Sequence, residues 1–374
     1  MTLTPELVRG AAEVEVTPRG LRPHRLPTWV REQFPDGQLL AMESQPSGVR
    51  VVFATAATSF TLVTHPTRFA YKGADRPRGR IDVYVDGERV LRDELAGGDR
   101  VEVDLATGET AFRPGQSHAT TVSGLARGRH RVEIWLPHNE TVDLVELRAD
   151  APIEPDRTVA PLWVHHGSSI SQGSNALAPS EIWPAVAARR AGVELRNLGL
   201  GGSALVDPFL ARVIRDAPAD VISVKLGINV VNLDAMRLRA FVPAVHGFLD
   251  TIRDGHPDTP LLLISPLFCA IHEETPGPGA FDPATLGSDQ VRFVAAGEAG
   301  PGRLTLKVIR AELRSLFDRR SADKNLHYLE GTDLYGPDDE PLPDNLHPSA
   351  EAHLLIGSRF AERVFDGGPF SDVR

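Results

Sequence analysis

The chain has 374 residues, 41% hydrophobic and 24% charged, longer than one typical domain and composed like an ordinary globular protein. Its formal net charge of −10 at pH 7 argues against nucleic acid or an anionic membrane surface as the main partner, and no apolar run approaches membrane-spanning length. A single cysteine, Cys269, rules out an intramolecular disulfide framework and fits a reducing compartment. Residues 1–10 carry Glu6 and lack the apolar core of a signal peptide, so the expected location is cytoplasmic.

Residues 1–150 read as β. Val49, Val51 and Phe53, then Phe60, Leu62 and Val63, have strand-like apolar content. Ile81, Val83 and Val85 alternate, and Asp86-Gly87 follows as a hairpin turn into Val90 and Leu91. Val101, Val103 and Leu105 alternate again, as do Val132, Ile134 and Leu136, then Val142, Leu144, Val145 and Leu147. Short strands separated by Gly, Pro and Asp, with no long helical pattern, predict an antiparallel β-sandwich of jelly-roll type.

Residues 151–161 turn proline-rich (Pro152, Pro155, Pro161) and read as a linker. From 162 to 374 strands and helices alternate. Strands are expected at 162–165, 194–197, 220–226, 260–265 and 326–329. Helices are expected at 181–191 (closed by Gly192), 208–217, 234–253, 304–320 and 349–364. This βαβ rhythm predicts a second, α/β domain: a doubly wound parallel sheet that binds ligands beyond the carboxyl ends of its strands.

Four polar clusters fall beyond those strand ends: Gly167-Ser168-Ser169, Asn197 to Ser203, Gly227-Ile228-Asn229, and Asp344-Asn345-Leu346-His347. Together they can supply nucleophilic acyl chemistry. A serine needs a base, for which His347 is the candidate, and the imidazole needs a carboxylate to fix its tautomer, for which Asp344 is placed three residues earlier. A tetrahedral intermediate needs donors for its oxyanion; the backbone N–H groups of Ser169 and Gly202 and the Asn229 amide would supply three.

These four clusters resemble the four sequence blocks of the SGNH (GDSL-type) hydrolase family: the serine block, Asn-x-Gly-x-x-Gly, Gly-x-Asn and Asp-x-x-His. The resemblance implies a flavodoxin-like SGNH fold with Ser169 as nucleophile, Asp344 and His347 completing a triad, and Ser169, Gly202 and Asn229 as the oxyanion hole. The family's Gly-Asp-Ser reads Gly167-Ser168-Ser169 here, so the choice between the two serines rests on alignment. A sandwich ahead of such a domain resembles a bacterial subgroup that holds carbohydrate and acyl-ester hydrolases and also acyltransferases that tailor natural products. The implied substrates are a small acyl ester or thioester and an alcohol or sugar acceptor, with no cofactor.

Other readings stand beside these. His165 and His166 suggest a metal, but neighbours on a strand face opposite sides and no ligand spacing accompanies them. Gly199, Gly201 and Gly202 do not complete a dinucleotide-binding fingerprint. Cys269 reads as a packed cysteine, and Trp183 as helix core or as the border of the site's mouth. The Pro/Gly-rich stretch 266–287 is either a pocket wall or a solvated connection. A second function class is a polyol-binding module with a degenerate serine site. Hydrolysis and transfer need the same residues, and the oligomeric state is not legible.

Overall fold

The computed structural model describes residues 3–71, 77–104, 107, 109–285, 288 and 291–373. The chain forms two units: Met1–Pro35, Leu40–Val159 and Leu177–Ser180 make one, and Asp36–Leu39, Ala160–Ala176 and Glu181–Arg374 the other.

In the first unit the alternating apolar residues line the facing sides of two sheets. One sheet has the order Val8–Arg9, Arg50–Thr55, His130–Trp135, Arg80–Val85, Glu88–Glu94. The other runs Glu13–Thr17, Gly20–His24, Thr141–Ala149, Ser59–Tyr71, Asp99–Val103, Thr110–Arg113, with His118–Ser123 also on Ser59–Tyr71. Val51, Phe53, Val83, Val132 and Ile134 share a buried cluster with Phe60, Leu62, Val142, Leu144 and Leu147. Each such side chain contributes about 1.5–3 kcal/mol on burial. Asp86 and Gly87 both take positive φ (50° and 90°), as a two-residue hairpin turn requires.

Three details depart from the expected pattern. Ser59–Tyr71 and Asp99–Val103 run parallel, within an otherwise antiparallel sandwich. A bulge between Leu144 and Glu146 shifts the register, so Leu147 turns inward while Val145 is left exposed. Within the stretch expected to be a linker, Ile153–Pro155 pairs with Arg50–Thr55 and Ile153 is buried, so the first unit continues past residue 150. Leu105 lies outside the described residues.

The second unit holds five parallel strands: β1 Leu162–Gly167, β2 Glu194–Gly199, β3 Val221–Lys225, β4 Leu261–Ile264 and β5 Leu326–Leu329. Their order, β2-β1-β3-β4-β5, is the flavodoxin-like one, and its switch point lies between β1 and β3. The helices are α1 Ser169–Gln172, α2 Trp183–Ala191, α3 Pro208–Asp216, α4 Ile228–Asn232, α5 Leu238–Gly255, α6 Leu306–Arg319 and α7 Ala350–Phe360. Both faces of the sheet are covered. Trp163 of β1 packs on Trp183 of α2 and Phe360 of α7, while His166 stacks on Phe248 of α5 on the opposite side. Gly192 ends α2 in the left-handed conformation, and Ser349 caps α7 by accepting from the Ala352 N–H. In place of a plain loop, the Pro/Gly-rich stretch contributes Gly279–Phe281, which pairs with Phe293–Ala295; residues 286 and 287 lie outside the description.

Candidate active site

At the end of β1 the chain passes through two serines with different fates. Ser168 is extended and buried, and its Oγ accepts from the Ile170 N–H at 3.4 Å, capping α1. Serine is among the residues preferred at such a cap, so Ser168 has a local structural role here. Ser169 is the first residue of α1, and its Oγ lies 2.9 Å from His347 Nε2.

His347 Nδ1 is 2.8 Å from Asp344 Oδ2. An ionised carboxylate only accepts, so Nδ1 carries the proton and Nε2 is left to accept from Ser169 Oγ–H. The turn that makes this possible is local. Asp344 Oδ1 accepts from the backbone N–H groups of Leu346 (2.9 Å) and His347 (2.6 Å), folding the three-residue spacing into a closed loop. Burial alone would raise the Asp344 pKa, but the hydrogen bonds and charge of His347 and the backbone donors outweigh it and hold the carboxyl below its ordinary value. Asn345 takes φ +67°, and its carbonyl accepts from Cys269 Sγ at 3.3 Å. Burial pushes that thiol up to about 12, so Cys269 supports the turn as an unreactive group.

The three expected oxyanion donors lie on three separate segments. The Ser169 N–H opens α1, where a first-turn donor has no intrahelical acceptor. Gly202 sits in the turn after β2 with φ +68°, a conformation only glycine adopts without strain, and its N–H has no acceptor among the described residues. Asn229, in α4 after β3, accepts from the Ala204 N–H at 3.1 Å through Oδ1. That bond fixes the amide so that Nδ2 points away from Ala204, and Nδ2 has no acceptor among the described residues.

Further residues tie these segments together. Gln172 Oε1 accepts from the Gly201 N–H (2.8 Å), and Gln38 Nε2 donates to the Gly201 carbonyl (2.9 Å). Asn197 Nδ2 donates to the Ser171 carbonyl (2.8 Å) while its Oδ1 accepts from the Gly199 N–H. Asn175 Nδ2 donates to Asp344 Oδ2 at 3.4 Å. Gln172 is three residues past Ser169 and was legible in principle; Gln38 is 163 positions from Gly201, and nothing in the sequence links them.

The remaining candidates have structural partners. His165 bridges Ser223 Oγ (2.7 Å) and Ser171 Oγ (2.8 Å), and His166 Nδ1–H donates to the Leu198 carbonyl (2.8 Å). Burial drives both imidazoles below their ordinary pKa, His166 to about 4. Among the described residues no group of three or more His, Cys, Asp or Glu is placed to hold a metal ion. Trp183 is fully buried in the aromatic cluster with Trp163 and Phe360, in the core rather than at a mouth.

Comparison with known proteins extends the picture. Residues 166–355 match the GDSL-like Lipase/Acylhydrolase family, and residues 7–144 match the SsfX3 N-terminal domain. Among solved structures, the salicylyl-acyltransferase SsfX3 from a tetracycline biosynthetic pathway is 27% identical with a TM-score of 0.77, over 94% of this chain and 92% of that one. A GDSL-like lipase from Bacteroides ovatus is 19% identical with a TM-score of 0.69, over 98% and 96%. A family two carbohydrate esterase from Clostridium thermocellum is 15% identical with a TM-score of 0.56, over 86% and 92%. The last two show likeness of fold. No match is found among curated proteins. With one family spanning more than half of its length and an SsfX3-type domain ahead of it, the chain belongs to the GDSL-like lipase/acylhydrolase family and is an enzyme of the serine esterase and acyltransferase class.

Proposed function

We propose that the protein moves an acyl group from an ester or thioester to the hydroxyl of a small molecule, or to water, through an acyl-enzyme on Ser169. The observation that carries this reading is the unbroken chain from Ser169 Oγ to His347 Nε2 (2.9 Å) and from His347 Nδ1 to Asp344 Oδ2 (2.8 Å).

In the first half-reaction His347 Nε2 takes the Ser169 proton as Oγ attacks the acyl carbonyl, and Asp344 stabilises the imidazolium. The Ser169 and Gly202 N–H groups and Asn229 Nδ2 hold the oxyanion. Collapse breaks the bond to the leaving alcohol or thiol, which departs with the proton from Nε2. In the second half-reaction the acceptor gives its proton to Nε2 and attacks the acyl-serine, and Ser169 Oγ recovers the proton.

Transfer to an alcohol is favoured over hydrolysis by the 27% identity, across 94% of the chain, to an acyltransferase. A cytoplasmic setting, the expectation from the sequence, suits a thioester donor. The alternative of a binding module with a degenerate site drew on Ser168 alone, and the GDSL-like family match supports the enzyme reading.

The test is rapid-mixing kinetics with p-nitrophenyl acetate, with and without added alcohols. An initial burst of p-nitrophenol and acetylation of the alcohol are expected. Ser169→Ala should lose at least ~10³-fold in kcat while remaining folded. An active Ser169→Ala protein would end the proposal.

A further inference from the structure

Resting on that reading, one side of the site can be assigned to one part of the substrate. In the proposed mechanism His347 acts twice, and each time its Nε2 exchanges a proton with the leaving oxygen or sulfur or with the acceptor oxygen. The acyl carbonyl is gripped instead by the donors at Ser169, Gly202 and Asn229. A side chain packed against the imidazole neighbours the group that handles the alcohol's proton, and the donors at Ser169, Gly202 and Asn229 lie on other segments.

Two phenylalanines extend outward from the imidazole, Phe293 against it and Phe281 against Phe293. Phe281 and Phe293 are register partners in the paired segments Gly279–Phe281 and Phe293–Ala295, with ring centroids 5.0 Å apart. The Phe293 ring meets His347 edge to face at 5.7 Å and 74°. Two hydrogen bonds fasten this segment to the triad turn: the Phe293 N–H donates to the Asp344 carbonyl (2.9 Å), and Asn345 Nδ2 donates to the Phe293 carbonyl (3.1 Å). Phe281, next outward, is 50% exposed. The paired residues, Gly-Ala-Phe and Phe-Val-Ala, carry no charge, so they recognise a ligand by apolar faces and not by ion pairing.

We infer that Phe281 and Phe293 form a subsite for a ring-bearing alcohol, whose flat apolar face stacks on Phe281 while its hydroxyl reaches His347 Nε2. Phe293 positions the base and Phe281 contributes specificity. Aromatic stacking of this kind is worth about two- to tenfold per ring pair beyond simple burial.

The experiment uses the full chain and two ester series. In the alcohol series the acetates of ethanol, benzyl alcohol and 2-naphthol are compared; in the acyl series the acetate, butyrate and benzoate of p-nitrophenol. Phe281→Ala should lower kcat/KM for 2-naphthyl acetate by about tenfold and leave ethyl acetate within about twofold. Phe281→Tyr, which keeps the ring, should restore the naphthyl ester, and the loss should be uniform along the acyl series. A loss that grows with the acyl group would overturn the assignment, as would equal losses for ethyl and naphthyl acetates. A wild-type protein that turns over no ester and forms no serine adduct overturns the acyl-enzyme reading itself, and this subsite with it.

Discussion

In the proposed mechanism Ser169, His347 and Asp344 work as a unit, so their removal should not add. His347→Ala is expected to cost about as much as Ser169→Ala, at least ~10³-fold in kcat, and the double variant scarcely more. Asp344→Asn keeps an acceptor for the Leu346 and His347 N–H groups but cannot fix the imidazole tautomer, so a loss of about 10²–10⁴ is expected with little loss of stability. Asn229 allows a cleaner test of the oxyanion site. Asn229→Asp keeps the oxygen that accepts from the Ala204 N–H while removing the Nδ2 donor, and kcat should fall by at least 10²-fold with the fold retained. Steady-state kinetics beside urea unfolding separates these effects. At this scale much was legible, because Asp344 and His347 lie three residues apart and close a local turn. Ser168 was the uncertain residue, since a buried cap and a half-buried serine facing a histidine look alike in the sequence Gly-Ser-Ser.

The elements position those residues by close approach. An added Cβ at Gly199, at the end of β2, would sit 2.4 Å from the Gln172 N and 2.5 Å from the Ser171 carbonyl carbon, so α1 rests directly on β2. Gly199→Ala must push α1, and Ser169 with it, away from the donor turn. A destabilisation of about 1–3 kcal/mol and a fall in kcat are expected, measured by urea unfolding and ester turnover. The strands of the second unit were readable because buried parallel strands are short apolar runs, and β4 is buried throughout within the expected 260–265. Several elements were not readable. Gly20–His24 carries Pro23 among polar residues yet is a strand, held by pairing on both edges and by burial of Leu21. Gly279–Phe281 lies in a stretch dominated by Pro and Gly, and its meaning depends on Phe293 twelve residues later and on the triad turn far beyond. The inward turn of Leu147 depends on a bulge that alternation alone does not reveal.

For the molecule as a whole, buried bases in the second unit set how stability responds to pH. Lys225, at the end of β3, is buried with no hydrogen-bond or ion-pair partner among the described residues, and desolvation lowers its pKa to about 8. Below pH 8 both folded and unfolded states are charged and the burial penalty is felt in full. Between pH 8 and 10.5 the folded state gives up its proton first and stability rises. Lys225→Met should therefore stabilise the protein by about 3 kcal/mol at neutral pH, a gain that fades above pH 10. His165, His166 and His353 are buried and neutral, the last two with pKa values lowered to about 4. As pH falls from about 6.5 towards 4 the unfolded chain takes up protons that these three residues refuse, while Asp207, whose carboxyl burial pushes up to about 6, gains one in the folded state and offsets part of the effect, so the urea midpoint should still decline across that interval. A flat midpoint between pH 6.5 and 4.5 would contradict the neutral, buried state of these imidazoles.

An activated Ser169 should react with a fluorophosphonate, which labels serines only when a base has raised their nucleophilicity. Intact mass and peptide mapping should find one adduct, on Ser169, unchanged by Ser168→Ala and lost in His347→Ala. An adduct on Ser168, or none on the folded protein, would rule out Ser169 as the nucleophile.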